Sequence, residues 1–211
     1  QSLQINKLFM NQRPVLSSIY TRRSLRRYQQ DRPVEREIIE AILTAGTWSP
    51  SAHNRQPWRF AVLQAFASKQ KLARAMGARL RHDLEADAVP EAVIAKDVNR
   101  SYDRLTSAPV LVVLCLSMVD MDTYSDETRN HNEYIMAVQS TAMAGQNILL
   151  AAHEYGLGAC WMCAPLFCPD VVRDVLDLPD DWHAQGIITM GYPAQERDKT
   201  REPLETRVLW R

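Results

Sequence analysis

Apolar residues recur every three to four positions in several stretches of the chain, and this spacing predicts helices. In residues 35–48 the isoleucine and leucine side chains share one face, so we expect a helix packed on a core. Residues 129–155 carry apolar side chains around the whole circumference, which is typical of a central helix buried inside a domain or a dimer. Residues 68–87 and 90–105 are also periodic but more polar. We expect these two helices to be exposed and to form a mobile cover over a site.

Short apolar runs alternate with these helices and predict strands at 58–63, 108–116, 159–162 and 186–191. The run 108–116 is apolar without interruption, which indicates burial on both faces of a sheet. Helices and buried strands that mix along one chain favour an α+β fold or a three-layer α/β sandwich.

Composition narrows the classes of protein. The 211 residues are 46% hydrophobic, which suits one packed domain over residues 1–211, with residues 1–11 as an arm. Lys plus Arg and Asp plus Glu both total 25, so the zero net charge argues against broad attraction to nucleic acid or membranes. We see no run of about 18 apolar residues and no signal peptide, so a cytoplasmic location is expected.

A polar turn at residues 49–59 precedes the apolar run of the first strand. Its amides, Asn54 and Gln56, offer both donors and acceptors, as does the polar edge of a flavin ring. His53 lies in the same turn and is a candidate proton donor, although a histidine in such a turn more often hydrogen-bonds the backbone. A hydrogen-bonded turn without a ligand is the alternative interpretation.

Basic residues alternate near both ends of the chain. Arg22, Ser24 and Arg26 would project on one face of an extended segment, and Lys199 and Arg201 repeat the spacing. Guanidinium groups match phosphate geometry, so these segments are candidates for a phosphate site; a solvated charged surface is the alternative. The chain has only seven glycines and no G-x-G-x-x-G pattern, so a bound nucleotide must be held by side chains.

The two basic segments and the turn at 49–59 together resemble the FMN-dependent nitroreductase family, over nearly the whole chain from about Ile19 to Trp210. The resemblance implies a three-layer fold with a mostly antiparallel central sheet and long helices. It also implies a homodimer with FMN at the subunit interface, because in that family the turn comes from the other subunit. The implied cofactor-binding residues are Arg22, Arg23, Ser24, Arg26, Pro50, Ser51, Ala52, Asn54, Gln56, Cys163, Lys199 and Arg201.

The second half of the chain is most similar to one branch, the flavin domain of the deazaflavin-coenzyme glutamate ligase. Residues 156–161 and 170–179 carry this similarity. If the branch is right, Arg100 and Arg104 are candidates for an anionic substrate tail, with a solvated helix face as the alternative. Trp161 matches a stretch that lies against the flavin ring in the family.

The resemblance implies an FMN-dependent oxidoreductase that uses NADH or NADPH. The acceptor would be a nitroaromatic, a quinone or a dehydro-deazaflavin precursor, reduced by two electrons in a ping-pong cycle. The flavin carries this chemistry, so no protein side chain need be catalytic. The alternatives are a flavin-binding carrier or sensor without turnover, and a thiol oxidoreductase that uses the C-x-x-C pair Cys160 and Cys163. A structural zinc site needs four ligands at suitable spacing, so we expect no metal.

Overall fold

A computed structural model describes residues 13–211, and the arm expected at residues 1–11 lies outside this range. The described residues form six α-helices and four strands. The helices are α1 (Pro14–Thr21), α2 (Arg36–Thr47), α3 (Phe66–Ala86), α4 (Glu91–Thr106), α5 (Glu127–Glu154) and α6 (Pro169–Leu176). The strands are β1 (Trp58–Leu63), β2 (Val110–Leu116), β3 (Gly158–Met162) and β4 (His183–Gly191), and short 3₁₀ turns lie at Ala52–Asn54, Ala164–Phe167 and Leu204–Thr206.

The four strands form one sheet in the order β1-β2-β4-β3, and every neighbouring pair is antiparallel. Val112 in β2 faces Val62 on one side and Ile188 on the other. All seven residues of β2 are buried, as the uninterrupted apolar run predicted.

Alternate residues of β2 point into two separate cores. Val110, Val112 and Leu114 pack with residues of α2 and α5 on one face. Leu111 and Val113 pack with residues of α3 and α6 on the other. Helices therefore cover both faces of the sheet, and the predicted three-layer α+β architecture is confirmed.

Two expectations about the helices need correction. Helix α3 is not simply exposed, because Leu72, Ala73 and Met76 are buried in the core beneath it. The many polar residues of α3 led to the expectation of an exposed helix. Helix α4 packs against α3 and buries Leu105 in the same core. Helix α1 was missed because its eight residues span little more than two turns, too few to establish a period; Pro14 begins it, where a missing N–H has no cost.

Helix α5 runs across the centre of one layer for 28 residues. Ala144, Ile148 and Ala152 face the core, whereas Ile135 and Met143 are exposed in the single chain. The helix therefore has an apolar surface left over after the domain is packed. No helix within residues 13–211 is long and apolar enough to cross a membrane.

Candidate functional site

The first basic segment is extended, which is the condition under which its alternate residues share one face. Ser24 forms a parallel bridge with Ala159, and the Leu25 N–H donates to the Ala159 carbonyl at 3.1 Å, so the segment lies along the edge of β3. Tyr28 is buried and fixes the far end, because its hydroxyl donates to the Leu25 carbonyl at 2.7 Å. Its oxygen also lies 2.7 Å from the Thr189 hydroxyl.

The C-terminal tail returns to the same place. The Ala194 N–H donates to the Arg27 carbonyl at 3.0 Å, directly after a bridge between Tyr28 and Pro193. Residues 197–201 then lie beside the N-terminal segment. The result is a cavity of about 280 Å³, lined by Arg22, Arg23, Ser24, Arg26, Arg197, Lys199 and Arg201.

The guanidinium groups in this small cationic cavity are incompletely satisfied. Arg22 Nη1, Arg23 Nε and Arg26 Nε are buried and have no hydrogen-bond partner within the described residues. Burial, with a further contribution from the neighbouring charge of Arg201, lowers the pKa of Arg22. Six cations line the cavity, and the Arg23–Asp198 pair at 3.2 Å is the ion pair formed with its lining. Buried donors without acceptors are costly, so the charge and the free donors of the cavity suit an anion.

Helix α5 anchors the start of this segment. Thr21 Oγ1 lies 2.9 Å from His153 Nε2, and Ser18 hydrogen-bonds the Glu154 carboxylate. Burial lowers the pKa of His153, and Arg22 and Arg23 lower it further against the opposing charge of Glu154. The neutral imidazole is therefore the form that fits beside the arginines.

A larger cationic cavity of about 930 Å³ adjoins the small one, since Arg26 and Arg197 line both. Arg100 and Arg104 of α4 line the larger cavity, as their candidacy for a substrate tail requires. Burial lowers the pKa of Arg104, and the positive charges of Arg26 and Arg100 lower it further.

The polar turn at residues 50–56 lies elsewhere in the chain and does not line the small cationic cavity. The Ala52 N–H donates to Ser140 Oγ on α5 at 3.3 Å, and the Gln56 N–H donates to Ser51 Oγ at 3.0 Å. Ser140 precedes His153 by 13 residues, which is about 20 Å along a helix. The turn and the cavity therefore lie near different parts of α5.

This turn is strained and open. His53, Asn54 and Gln56 all have positive φ, at 49°, 54° and 51°, a region that non-glycine residues seldom adopt. The side-chain amides of Asn54 and Gln56 are exposed and make no hydrogen bond within residues 13–211. Because they are exposed and unpartnered among the described residues, these amides are available to a ligand or a second subunit, and backbone strain of this kind is concentrated at functional sites. Pro50, at the start of the turn, is exposed as well.

The indole of Trp161 is held in the core by close packing, unlike a side chain that is free to move against a substrate. Its indole lies against Gly145 of α5 and Gly186 of β4, where any side chain would collide with the ring. The indole Nε1 donates to Cys163 Sγ at 3.1 Å, and Cys163 is exposed. Trp161 thus orients the stretch that includes Cys163, and part of its own surface stays accessible.

The four cysteines form no disulfide among the described residues, and three are buried: Cys115, Cys160 and Cys168. Burial raises the pKa of Cys115 to about 12 and also raises that of Cys160 and of Cys168. Such thiols form the reactive thiolate poorly at neutral pH.

One cluster was not anticipated from the sequence. His53, Asp122 and Glu133 offer ligand atoms that lie within 4.8 Å of one another. Glu133 is buried, and its Oε2 has no hydrogen-bond partner among the described residues. Arg55 forms an ion pair with Asp122 and already supplies a positive charge to the cluster. The arrangement provides a charged network that could also hold a cation.

Arg197 was also missed. It lines both cationic cavities, although only Lys199 and Arg201 of this tail were predicted to contact a phosphate. The same alternation extends one step further back to Arg197, so the signal was present in the sequence. Asp198 lies between them and pairs with Arg23, which helps to hold the tail.

The fold is a sheet covered by helices on both faces, and residues 22–26 and 197–201 meet beside it to form a cationic cavity whose charge suits a small anionic group. The model of the Nitroreductase family matches residues 19–192, and the chain belongs to this family.

Named relatives and a solved structure extend this similarity. The chain is 32% identical over 183 residues, 86% of its length and 78% of the relative, to a protein of Methanothermobacter thermautotrophicus named as an NADH dehydrogenase/NAD(P)H nitroreductase. It is 31% identical to the NADH dehydrogenase of Thermus thermophilus in an alignment of 215 positions, gaps included, that covers 90% of this chain and 92% of the relative. A nitroreductase from Desulfovibrio desulfuricans, solved in complex with FMN, matches with a TM-score of 0.72 and 29% identity, covering 94% of this chain and 96% of that one.

Proposed function

We propose that the protein is an FMN-dependent NAD(P)H oxidoreductase that transfers two electrons to a small organic acceptor in a ping-pong cycle. The acceptor in this proposal is a nitroaromatic, a quinone or a dehydro-deazaflavin precursor. The observation that carries the proposal is the small cationic cavity with its unpartnered guanidinium N–H groups. The names of the relatives and the FMN bound to the Desulfovibrio structure support it.

The residues of the small cationic cavity fit the phosphate of FMN. Arg22 and Arg26 have buried donors without acceptors, and Ser24, Lys199 and Arg201 add further donors at the same cavity. Charge-assisted bonds from several cations suit a group with nearly two negative charges. Bound FMN would accept a hydride from the reduced nicotinamide and pass two electrons to the acceptor.

The remaining cofactor contacts require a second subunit in this proposal. The turn at residues 50–56 sits about 20 Å along α5 from the attachment of the basic segment. A homodimer would bring the exposed amides of Asn54 and Gln56 to the partner's flavin. The exposed apolar side chains of α5 and the tail, such as Met143 and Trp210, provide a surface for that contact.

In this proposal the segment around Trp161 forms the part of the site that lies against the flavin ring. The indole fixes Cys163 at the exposed end of β3, where the family resemblance places the flavin ring. His53 lies in the strained turn, where a proton donor for the reduced acceptor would approach from the partner subunit.

The alternatives are less well supported. A thiol oxidoreductase needs a thiolate, and burial raises the pKa of Cys160, which disfavours that form. A flavin carrier or sensor would share the cationic cavity, so only turnover separates it from the enzyme.

The test begins with the protein as purified. Heat should release a chromophore with the absorbance and fluorescence of FMN. NADH or NADPH should bleach the bound flavin, and a quinone should restore its colour. Absence of FMN from the protein after loading would refute the proposal, and bound FMN that no nicotinamide reduces would favour the carrier.

Arg22→Ala tests the phosphate assignment directly. Loss of a charge-assisted pair costs about 2 kcal/mol, which weakens FMN binding about 30-fold. Arg74→Ala is the matched control, because Arg74 is an exposed arginine of α3 away from the small cationic cavity. Fluorescence titration with FMN measures both. Equal affinities in the two variants would contradict the role of Arg22.

A further inference from the structure

The larger cationic cavity has more positive charge than one cofactor phosphate explains. Its lining includes Arg26, Arg27, Lys96, Arg100, Arg104 and Arg197, against the acids Asp103 and Glu196. Of the basic phosphate contacts proposed above, Arg22, Lys199 and Arg201 line only the small cavity, whereas Arg26 lines both. The excess charge therefore belongs to a neighbouring and separate space.

Helix α4 supplies this charge as a stripe. Lys96, Arg100 and Arg104 are spaced four residues apart, so they lie on one face and span about 12 Å. Like charges at this spacing destabilise a helix. Asp97 pairs with Arg100 at 2.8 Å, which offsets one of the three charges.

Arg104 is the most constrained member of the stripe. Its pKa is lowered by burial and then by the charges of Arg26 and Arg100, and no carboxylate pairs with it among the ion pairs of the described residues. A chain that holds a partly buried arginine among other cations loses stability unless an anion joins them.

We propose that the larger cationic cavity binds a phosphate or carboxylate group of a reactant, with Arg100 and Arg104 as its main contacts. This inference rests on the proposed oxidoreductase function and names the chemistry that its substrate must carry. The volume of about 930 Å³ accommodates a sizeable molecule beside the cofactor, and Arg26 borders both. The anionic group could belong to either of two reactants, the nicotinamide dinucleotide or the electron acceptor.

The binding test uses FMN-loaded protein and inorganic pyrophosphate as the probe, at constant ionic strength. Calorimetry should show saturable binding to the wild type. Arg100→Gln combined with Arg104→Gln should weaken that binding at least tenfold. Arg74→Gln, on an exposed face of the neighbouring helix α3, should leave it unchanged. No saturable binding to the wild type, or equal affinity in the double variant, would overturn the proposal.

Kinetics on the same proteins separates the two sources. A higher KM for NADH or NADPH in the double variant assigns the site to the dinucleotide. A higher KM for a carboxylated quinone, but not for a neutral quinone, assigns it to the acceptor. Unchanged KM for every reactant would overturn the proposal even if pyrophosphate binds.

Two further measurements keep the test decisive. If the double variant does not fold, pyrophosphate should still inhibit the wild type competitively against one reactant, and lack of competition would count against the site. The flavin absorbance of each preparation is read separately. Missing flavin refutes the oxidoreductase proposal, whereas intact flavin reduction without anion binding refutes only this inference.

Discussion

Gly186 offers a direct test of how tightly the core holds Trp161. A Cβ at this position would lie 2.7 Å from both Cε2 and Cζ2 of the indole. Ordinary contact begins at 3.4 Å, so the ring would have to move by 3.4 − 2.7 = 0.7 Å. The Gly145 backbone limits that movement, because it lies so near the opposite edge of the ring that a Cβ built on it would be 2.1 Å from Cζ3. We expect Gly186→Ala to strain the packing.

The magnitude follows from two opposing effects. Overpacking of a well-packed core costs about 1–3 kcal/mol. Replacing a glycine inside a strand by alanine recovers about 0.5–1 kcal/mol of chain entropy. The net result should be a loss of about 1–2 kcal/mol in the free energy of unfolding.

Gly77→Ala is the matched control. Its Cβ would meet Val98 Cγ1 at 3.4 Å, an ordinary contact, so the alanine should fit and stabilise α3 by up to about 1 kcal/mol. Urea unfolding followed by circular dichroism measures both variants at one protein concentration, since the stability of the homodimer proposed above would depend on that concentration. In a Trp161→Leu background the cost of Gly186→Ala should largely disappear. Wild-type or greater stability of Gly186→Ala in the native background would refute the packing argument.

Three further predictions concern the site. The pKa of His153 is lowered from 6.5 by burial and by Arg22 and Arg23, so its contribution to stability is present above about pH 6.5 and is lost as the pH falls through the lower folded value. Stability measured between about pH 7 and pH 5 should therefore fall less in His153→Gln than in the wild type, and parallel curves would contradict this. Tyr28→Phe removes the bond to the Leu25 carbonyl and should cost about 1–2 kcal/mol of stability and weaken FMN binding. Tyr155→Phe, at an exposed position, is its control in both unfolding and FMN titration. Changing Cys160 and Cys163 to serine should leave the rate of flavin reduction by NADPH within about threefold, and abolished reduction in flavin-loaded protein would favour thiol chemistry.

The sequence predicted the strands and the two-sided core well because their signals are local. An uninterrupted apolar run such as residues 110–116 has few options besides a strand buried on both faces. The exposed helix expected at 68–87 was wrong because a polar composition hides a narrow apolar stripe. Leu72, Ala73 and Met76 are enough to bury one face of α3.

The site was predictable in its charges but not in its shape. Alternation at Arg22 and Arg26 indicated one face, yet it could not show that the tail would return beside them. That placement depends on hydrogen bonds between residues far apart in the chain, such as Ala194 with Arg27. The strain at His53 and the larger cavity beside α4 are likewise tertiary features, which no local pattern records.

The construction of the small cationic cavity links cofactor binding to stability. Its walls are residues 22–26 and 197–201, two end segments that must be held together against the repulsion of six cations. One ion pair, between Arg23 and Asp198, opposes that repulsion at the lining. An anion that binds only the folded chain adds stability in proportion to the logarithm of its concentration over its Kd. A bound phosphate would therefore hold residues 22–26 and 197–201 together in addition to fixing the cofactor. The repulsion among the cations that destabilises the empty cavity is also what favours binding of the anion.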